Sequence, residues 1–263
     1  MADKKTVTAP VADGEGGVMS LTGHLKELRN RIFVVAIVFF VGVVAGLAYA
    51  SPLTQLLLDM GEKYNYTFIT TAPQEKLLQY FRIAIYAGII LATPVGAFQT
   101  FRFMQPGLKR REARFFGIAL IFGFIMFCVG VAFAYFISLP FMLNYLVNGV
   151  GGLDQVMAMN QLANYISFVM MVITIFGCVF EMPLISVILS AVGLVTPELL
   201  KKIRGLATVL IFLLAAIITP PDVVSQVMVA CPMILLYQVS IWLSAIFRRR
   251  KPLPADDEDE EEE

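Results

Sequence analysis

The chain has 263 residues, of which 58% are hydrophobic, and its mean hydropathy is +0.77. A water-soluble domain of this length cannot bury so large an apolar fraction, so the composition excludes an ordinary soluble protein. The formal net charge is zero only because the eight consecutive acidic residues 256–263 offset cations elsewhere.

Six apolar runs follow one another along the chain, and each is a predicted membrane-spanning helix. A helix needs about 20 apolar residues to cross about 30 Å of hydrocarbon. The fifth run is shorter than this, and so is the sixth if its polar start is interfacial. The runs are 32–50, 77–98, 115–138, 165–194, 205–219 and 223–247. The predicted fold is an all-α integral membrane protein with six transmembrane helices, structured outer loops and two short final spans.

Basic residues indicate the side of the membrane on which each connection lies. Of the 20 lysines and arginines, 17 fall before the first run, in the second or fourth connection, or after the last run. Since such connections stay in the cytoplasm, both termini are predicted to be cytoplasmic. Residues 1–19 lack the apolar core of a signal peptide and are predicted to be a disordered tail. Residues 20–247 form the six-span domain, and 248–263 a basic and then acidic cytoplasmic tail.

The lead-in to the first span contains a single carboxylate among cations. Residues 20–32 read SLTGHLKELRNRI, in which leucines recur at helical spacing and form one apolar stripe. Lys26, Arg29 and Arg31 fit an amphipathic helix anchored in the headgroup layer. Glu27 does not fit such an anchor, because its carboxylate would face an anionic leaflet there. Its role is either the recognition of a ligand or an i,i+4 ion pair with Arg31.

The second cytoplasmic connection has the same character. Residues 98–114 read FQTFRFMQPGLKRREAR, where Pro106 and Gly107 break the helix and Glu112 stands among five cations. Glu112 either pairs locally or, together with Glu27, forms two anionic points on one cytoplasmic face. Two such points would suit a cationic ligand.

Of the three connections on the other side, the first two are long and poor in charge. Residues 51–76 and 139–164 are expected to pack as a cap on the outer surface rather than to extend into water. The last connection, 219–222, is a tight TPPD turn. It predicts that the fifth and sixth spans are antiparallel neighbours.

Ionisable groups inside the apolar runs are the strongest functional signal of a membrane sequence. Glu181 lies mid-way along the fourth run, and Pro183 is expected to bend the helix beside it. An acid there costs about 2.5–3.5 kcal/mol on insertion scales, so Glu181 is predicted to face protein in a water-accessible polar notch. Arg82 is predicted to snorkel outward, and Gln226 to bond another helix.

No catalytic, cofactor or metal site is predicted. The chain has one histidine, His24, and its three cysteines lie inside spans at spacings that match no metal or redox motif. The cysteines are expected to act as small apolar packing residues. No Gly-rich phosphate loop and no basic–aromatic nucleic-acid surface is recognised, so nucleic acid is not an expected partner.

Four short segments, in order along the six spans, carry a resemblance to a known family. They are HLKELRNR at 24–31, FQTFRFMQPGLKRRE at 98–112, FEMP at 180–183 and TPPDVVSQ at 219–226. Together they resemble TatC, the multi-spanning receptor of the twin-arginine protein translocase, from about residue 20 to residue 247. In one departure, Phe101 stands where the family usually has tryptophan.

The resemblance implies a function, a location and a set of site residues. The family binds twin-arginine signal peptides at the cytoplasmic face of the bacterial inner membrane. With TatA- and TatB-type single-span subunits, it moves folded proteins across, and self-association in the complex is expected. The set predicted for signal-peptide binding is Glu27, Glu112, Phe103, Leu25 and Arg29. The set predicted for intramembrane polar and partner contacts is Glu181, Gln226, Asp222 and Pro220.

The sequence alone leaves two other functions open. A proton- or ion-coupled secondary transporter would use Glu181 as its titrating group. Such transporters usually carry internal repeats, and the one echo in this chain, between residues 41–52 and 129–140, has unequal spacing. An intramembrane hydrolase would need a nucleophile–base pair, for which the sequence gives no sign.

Overall fold

The computed structural model describes residues 21–104, 110–149, 159–219 and 222–247, so both predicted tails and Pro220 lie outside the described residues. Within these ranges the chain forms ten α-helices and two short strands. The first helices are α1 (Leu21–Ala48), α2 (Ala50–Glu62), α3 (Glu75–Met104), α4 (Arg110–Phe133) and α5 (Leu139–Asn144). The others are α6 (Leu162–Phe180), α7 (Met182–Val192), α8 (Pro197–Lys202), α9 (Arg204–Ile218) and α10 (Val223–Phe247). The strands are β1 (Thr67–Ile69) and β2 (Met159–Gln161), and π-helical turns flank α5 at Ala134–Ser138 and Tyr145–Gly149.

Five helical segments in the described ranges are long and apolar enough to cross a membrane. They are Leu25–Ala48, Glu75–Thr100, Ile121–Val147, Leu162–Ala191 and Val223–Ile246. The apolar helix α9 has 15 residues, so at about 22 Å it is shorter than the hydrocarbon layer. Helix α10 has 25 residues, or about 37 Å, and begins before its polar residue Gln226. The helical membrane fold is therefore confirmed. The prediction that the last span is also short is wrong, because α10 is long enough to cross the hydrocarbon layer.

A seam of small residues joins α1 to α3. A Cβ added to Gly42 would lie 2.8 Å from the Cα of Gly88, and one added to Gly46 would lie 2.8 Å from the Cα of Ala84. Helices in lipid gain little from hydrophobic association, so close backbone packing of this kind supplies the attraction. The seam brings the start of α1 and the end of α3, with their polar residues, to the same end of the protein.

Serine residues join α7 to α10 deeper in the bundle. The Ser190 hydroxyl lies 3.3 Å from the Ser244 carbonyl oxygen, and the Ser186 hydroxyl is shared between the Pro183 carbonyl oxygen at 2.8 Å and the Ser240 carbonyl oxygen at 3.2 Å. All four serines are buried, and each bond between the helices places a donor on α7 against the backbone of α10. These bonds therefore fix the register between the two helices.

The described residues of the two long connections, 51–76 and 139–164, form helices and strands that pack on the protein. Strands β1 and β2, one from each connection, pair in parallel with Thr67 opposite Met159. The Tyr165 hydroxyl donates to the Leu57 carbonyl oxygen at 2.7 Å, and the Tyr66 hydroxyl donates to the Leu143 carbonyl oxygen at 3.2 Å. Burial raises the pKa of Tyr66 to about 12, so its hydroxyl remains a donor at physiological pH.

Candidate functional site

Glu27 and Arg31 form an ion pair one turn apart on α1. The Arg31 Nε donates to Glu27 Oε1 at 3.1 Å, and a terminal nitrogen of the guanidinium contacts the same oxygen. The Glu27 side chain is 22% exposed and that of Arg31 is 14% exposed, so water screens this pair less than a fully exposed one. Of the two roles that the sequence left open for Glu27, the pair with Arg31 is present in the structure.

The same Arg31 guanidinium ties α1 to the end of α3. One terminal nitrogen donates to Gln99 Oε1 at 3.2 Å, and the other donates to the Arg102 carbonyl oxygen at 3.0 Å. The planar fork of five N–H donors allows one side chain to serve all these acceptors. From the sequence, Arg31 is expected to be an anchoring cation or the ion-pair partner of Glu27. The contact with α3 has no signal in the local sequence.

Two grooves meet at Arg31 and Gln99. A polar groove of about 580 Å³ lies on one side and contains Glu27. Its other lining residues include Gly23, Lys26, Asn30, Val34 and Arg102. An apolar groove, also of about 580 Å³, lies between α1 and α3 on the other side. Its lining includes Leu28, Ile32, Val35, Phe39, Ile89, Ala92 and Phe103. A polar and an apolar surface are thus continuous at this end of the protein.

The structure brings only part of the predicted binding set together. Glu27 and the half-buried Phe103 line the two adjoining grooves. Leu25 is 65% exposed and, like the exposed Arg29, lines neither of these grooves. Glu112 belongs to the first turn of α4, and its side chain lies outside the described part of the structure.

Glu181 occupies the junction between α6 and α7. Helix α6 ends at Phe180, and α7 begins at Met182 with Pro183 in its first turn, so the helical run is interrupted at Glu181, beside the proline that was expected to bend it. The carboxyl packs against α4, where a Cβ added to Gly123 would lie 3.1 Å from Glu181 Oε2. Glu181 faces protein as predicted, but it is only 3% exposed, so the predicted water-accessible notch is absent.

The Glu181 carboxyl is also unsatisfied. Neither of its oxygens has a hydrogen-bond partner among the described residues. A buried polar group without a partner costs free energy, since it has lost water and gained nothing in return. Glu181 is therefore placed where a donor that reached it would be bound strongly.

Gln226 and Asp222 make contacts within the protein near the last turn. Gln226 Nε2 donates to the Phe212 carbonyl oxygen of α9 at 3.0 Å, which confirms the predicted bond to another helix. Asp222 Oδ2 accepts from the backbone N–H of Ser225 at 2.7 Å and so caps the start of α10. These bonds make α9 and α10 packed neighbours.

A second polar cluster, not anticipated from the sequence, joins α3 to the start of α6. Glu75 is buried, and its carboxylate accepts from the Thr71 N–H at 2.7 Å, the Thr71 hydroxyl at 3.1 Å and the Ala163 N–H at 3.0 Å. Arg82 donates to the Ala163 carbonyl oxygen at 2.9 Å and contacts the Ser167 hydroxyl. The Arg82 side chain thus extends toward the end of α3 that holds Glu75, the direction expected for snorkelling, but it ends on acceptors of α6. The spacing of Glu75, Gln79 and Arg82 along one helix face was the available signal.

The described residues contain no group of three or more His, Cys, Asp or Glu side chains arranged to hold a metal ion. The three cysteines are free and exposed, so the expectation that they act as packing residues is wrong within this chain. Their small apolar side chains are compatible with a lipid-facing surface.

Comparison with known proteins gives one consistent result. Residues 23–232 match the family model of the Sec-independent protein translocase protein (TatC). The chain belongs to the TatC family. It is 37% identical over 246 residues to the TatC protein of Desulforapulum autotrophicum, covering 92% of this chain and 88% of that one. Identity to the Aquifex aeolicus TatC protein is 37% over 237 residues, covering 89% and 98% respectively.

A solved structure agrees with the sequence relatives. The crystal structure of a twin-arginine translocase receptor TatC superimposes with a TM-score of 0.79 at 36% identity, covering 86% of this chain and all of that one. The matched residues 23–232 of this TatC-family chain contain every predicted site residue, including Glu112 and Pro220. The family is that of a membrane-embedded translocase component, so the sequence resemblance is confirmed.

Proposed function

We propose that this TatC-family chain is the receptor subunit of a twin-arginine translocase, and that it binds signal peptides at the joined grooves of α1 and α3. The observation that carries the proposal is the position of Glu27 in a polar groove that continues into an apolar one. A signal peptide has the complementary order, with a cationic pair beside an apolar segment. The bound peptide would belong to a folded precursor that is then moved across the membrane.

The arginine pair would be recognised by carboxylates. Each guanidinium is a planar fork that can take a bidentate bond from one carboxylate, so two arginines call for two acids. Glu27 is one, and we assign Glu112, at the start of α4, as the other. The cations that share the polar groove, Lys26 and Arg102, would repel a cationic ligand that lacks this match.

The apolar groove would supply much of the affinity. Charge pairs at partly exposed sites contribute only about 0–1 kcal/mol each. Transfer of an apolar segment from water into this groove contributes about 25 cal/mol per Å² of apolar surface removed from water, so it outweighs one charge pair. Phe103, at the junction with the polar groove, is suited to contact the first apolar side chain after the arginines.

Glu181 and the α9–α10 pair would receive the single-span subunits. The unsatisfied Glu181 carboxyl would accept a donor from a TatA- or TatB-type helix if α4 moved from Gly123. Helix α9 exposes Leu206, Val209, Leu213 and Ile217 along its length, a surface on which another helix can lie. Gln226 and Asp222 would maintain the shape of this surface from within, and further copies of the chain would complete the complex.

The topology that fits this function has six spans with both termini in the cytoplasm of a bacterial inner membrane. Helix α9 would cross as the fifth span although it is only 15 residues long. Such a span requires a locally thinner bilayer or shelter by neighbours. The alternation of basic residues along the chain supports this orientation.

Charge variants at the two carboxylates test the proposal. Binding of a labelled twin-arginine peptide to the protein in nanodiscs would be measured for Glu27→Gln, Glu112→Gln and Glu112→Lys. Both Gln variants should weaken binding several-fold, and Glu112→Lys should weaken it further because it adds repulsion. Glu62→Gln, an exposed carboxylate on α2, is the matched control. Unchanged binding by Glu112→Lys would rule out the role assigned to this residue.

A further inference from the structure

We propose that Arg31 is an internal competitor of the signal peptide. Its guanidinium holds the Glu27 carboxylate and would release it when an arginine of the signal binds. The inference rests on the proposed function and adds to the same site a residue that sets the affinity for cationic peptides. Its basis is that a guanidinium, that of Arg31, contacts Glu27 in the structure, and a guanidinium is also the group that the signal peptide would present.

The contacts of Arg31 make this exchange inexpensive. A partly buried guanidinium that lost its carboxylate would normally be left with unpaired donors, which is costly. Arg31 has two other acceptors, Gln99 Oε1 at 3.2 Å and the Arg102 carbonyl oxygen at 3.0 Å, and both belong to α3. After release from Glu27 the side chain would keep these bonds, so only one interaction is exchanged for another of the same kind.

Competition has a defined effect on affinity. An occupied Glu27 lowers the affinity of every cationic peptide by the same factor, because the same bond must be broken first. Discrimination between an arginine pair and a lysine pair is then set by the fork geometry at the carboxylates and is unaffected by Arg31. The competitor thus raises the threshold for binding, and weakly matching cationic segments remain unbound.

Peptide titration against the Arg31→Gln protein in nanodiscs tests the inference. The peptides share one apolar segment and carry Arg-Arg, Lys-Lys or Gln-Gln before it. An ion pair of this exposure corresponds to about a two- to five-fold change in affinity. Arg31→Gln should therefore bind the Arg-Arg and Lys-Lys peptides two- to five-fold more tightly, with their ratio unchanged, and the Gln-Gln peptide as the parent does.

Two further variants separate competition from a general effect of charge. Lys26→Gln removes an exposed cation from the same groove without breaking the Glu27 pair, so its gain should be smaller than that of Arg31→Gln. Arg31→Lys keeps a cation but loses the fork, so its affinities should lie between those of the parent and Arg31→Gln. Thermal unfolding of each variant, measured in parallel, checks that the helices remain packed, and Arg31→Lys carries the test if Arg31→Gln does not fold.

The outcomes are distinct. If Arg31 only clamps α1 to α3, Arg31→Gln binds the Arg-Arg peptide no more tightly than the parent, and the inference is overturned. A gain equal to that of Lys26→Gln overturns it as well, because charge alone then explains the effect. If the parent itself does not prefer the Arg-Arg peptide over the Gln-Gln peptide, the proposed function fails, whatever the Arg31 variants do.

Discussion

Removal of the Glu75 carboxylate should loosen the connection between the first loop and the start of α6. Glu75 is 5% exposed and accepts three hydrogen bonds, two from Thr71 and one from the Ala163 N–H. The negative charge also lies against the N-terminus of α6, where the helix dipole favours an anion. Glu75→Ala removes both effects and leaves the backbone N–H of Ala163 without its acceptor.

The size of the effect follows from these contacts. A hydrogen bond to a charged acceptor contributes about 1.5–3 kcal/mol, but Thr71 is exposed, so water replaces its bonds in part. We expect Glu75→Ala to lower the free energy of unfolding by about 2–3 kcal/mol and Glu75→Gln, which keeps one acceptor oxygen, by about 1 kcal/mol. At about 2–4 °C per kcal/mol, the alanine variant should melt several degrees below the parent.

Thermal unfolding in detergent, followed by circular dichroism, measures this loss. Glu62→Ala is the matched control, since Glu62 is an exposed carboxylate on α2 in the same connection. A double-mutant cycle with Thr71→Val should give a coupling energy of about 0.5 kcal/mol or more. Equal and small shifts for Glu75→Ala and Glu62→Ala would refute the reasoning and show that the three bonds contribute nothing net.

Three other predictions follow from the packing, the buried acid and the topology. Gly88→Val places methyl groups against Val43 and the Phe39 carbonyl, so it should lower the melting temperature and weaken signal-peptide binding. Gly205→Ala, whose Cβ would meet no atom within 4 Å, should do neither. Glu181→Gln, which keeps hydrogen-bonding groups, should retain much of the export of a twin-arginine reporter in cells, and Glu181→Leu should lose more. Equal export by Glu181→Leu and the parent would show that Glu181 has only a structural role. In a background lacking the three native cysteines, single cysteines at residues 51–76 should react with an impermeant thiol reagent from outside, and those at 100–114 should not.

Membrane insertion and the position of the acid were determined by the sequence itself. Apolar runs of span length and the distribution of lysine and arginine are local properties, since each span must satisfy its own backbone in lipid. The interruption of the helix at Glu181 could also be predicted, because Pro183 has no backbone N–H to donate to the preceding turn. The resemblance of four segments to the TatC family was sufficient to predict the family before any contact was known.

Side-chain partners were decided by the tertiary structure. The sequence indicated the direction of the Arg82 side chain but not its partners, the Ala163 carbonyl oxygen and the Ser167 hydroxyl of α6. Glu27 could pair along α1 or bind a ligand, and in the structure it pairs with Arg31, whose guanidinium also bonds α3. Such contacts join residues distant in sequence, and the small-residue seam at Gly42 and Gly88 determines how closely their helices approach. Local sequence specifies which groups are available for a bond, whereas the packing of one helix against another selects the partner.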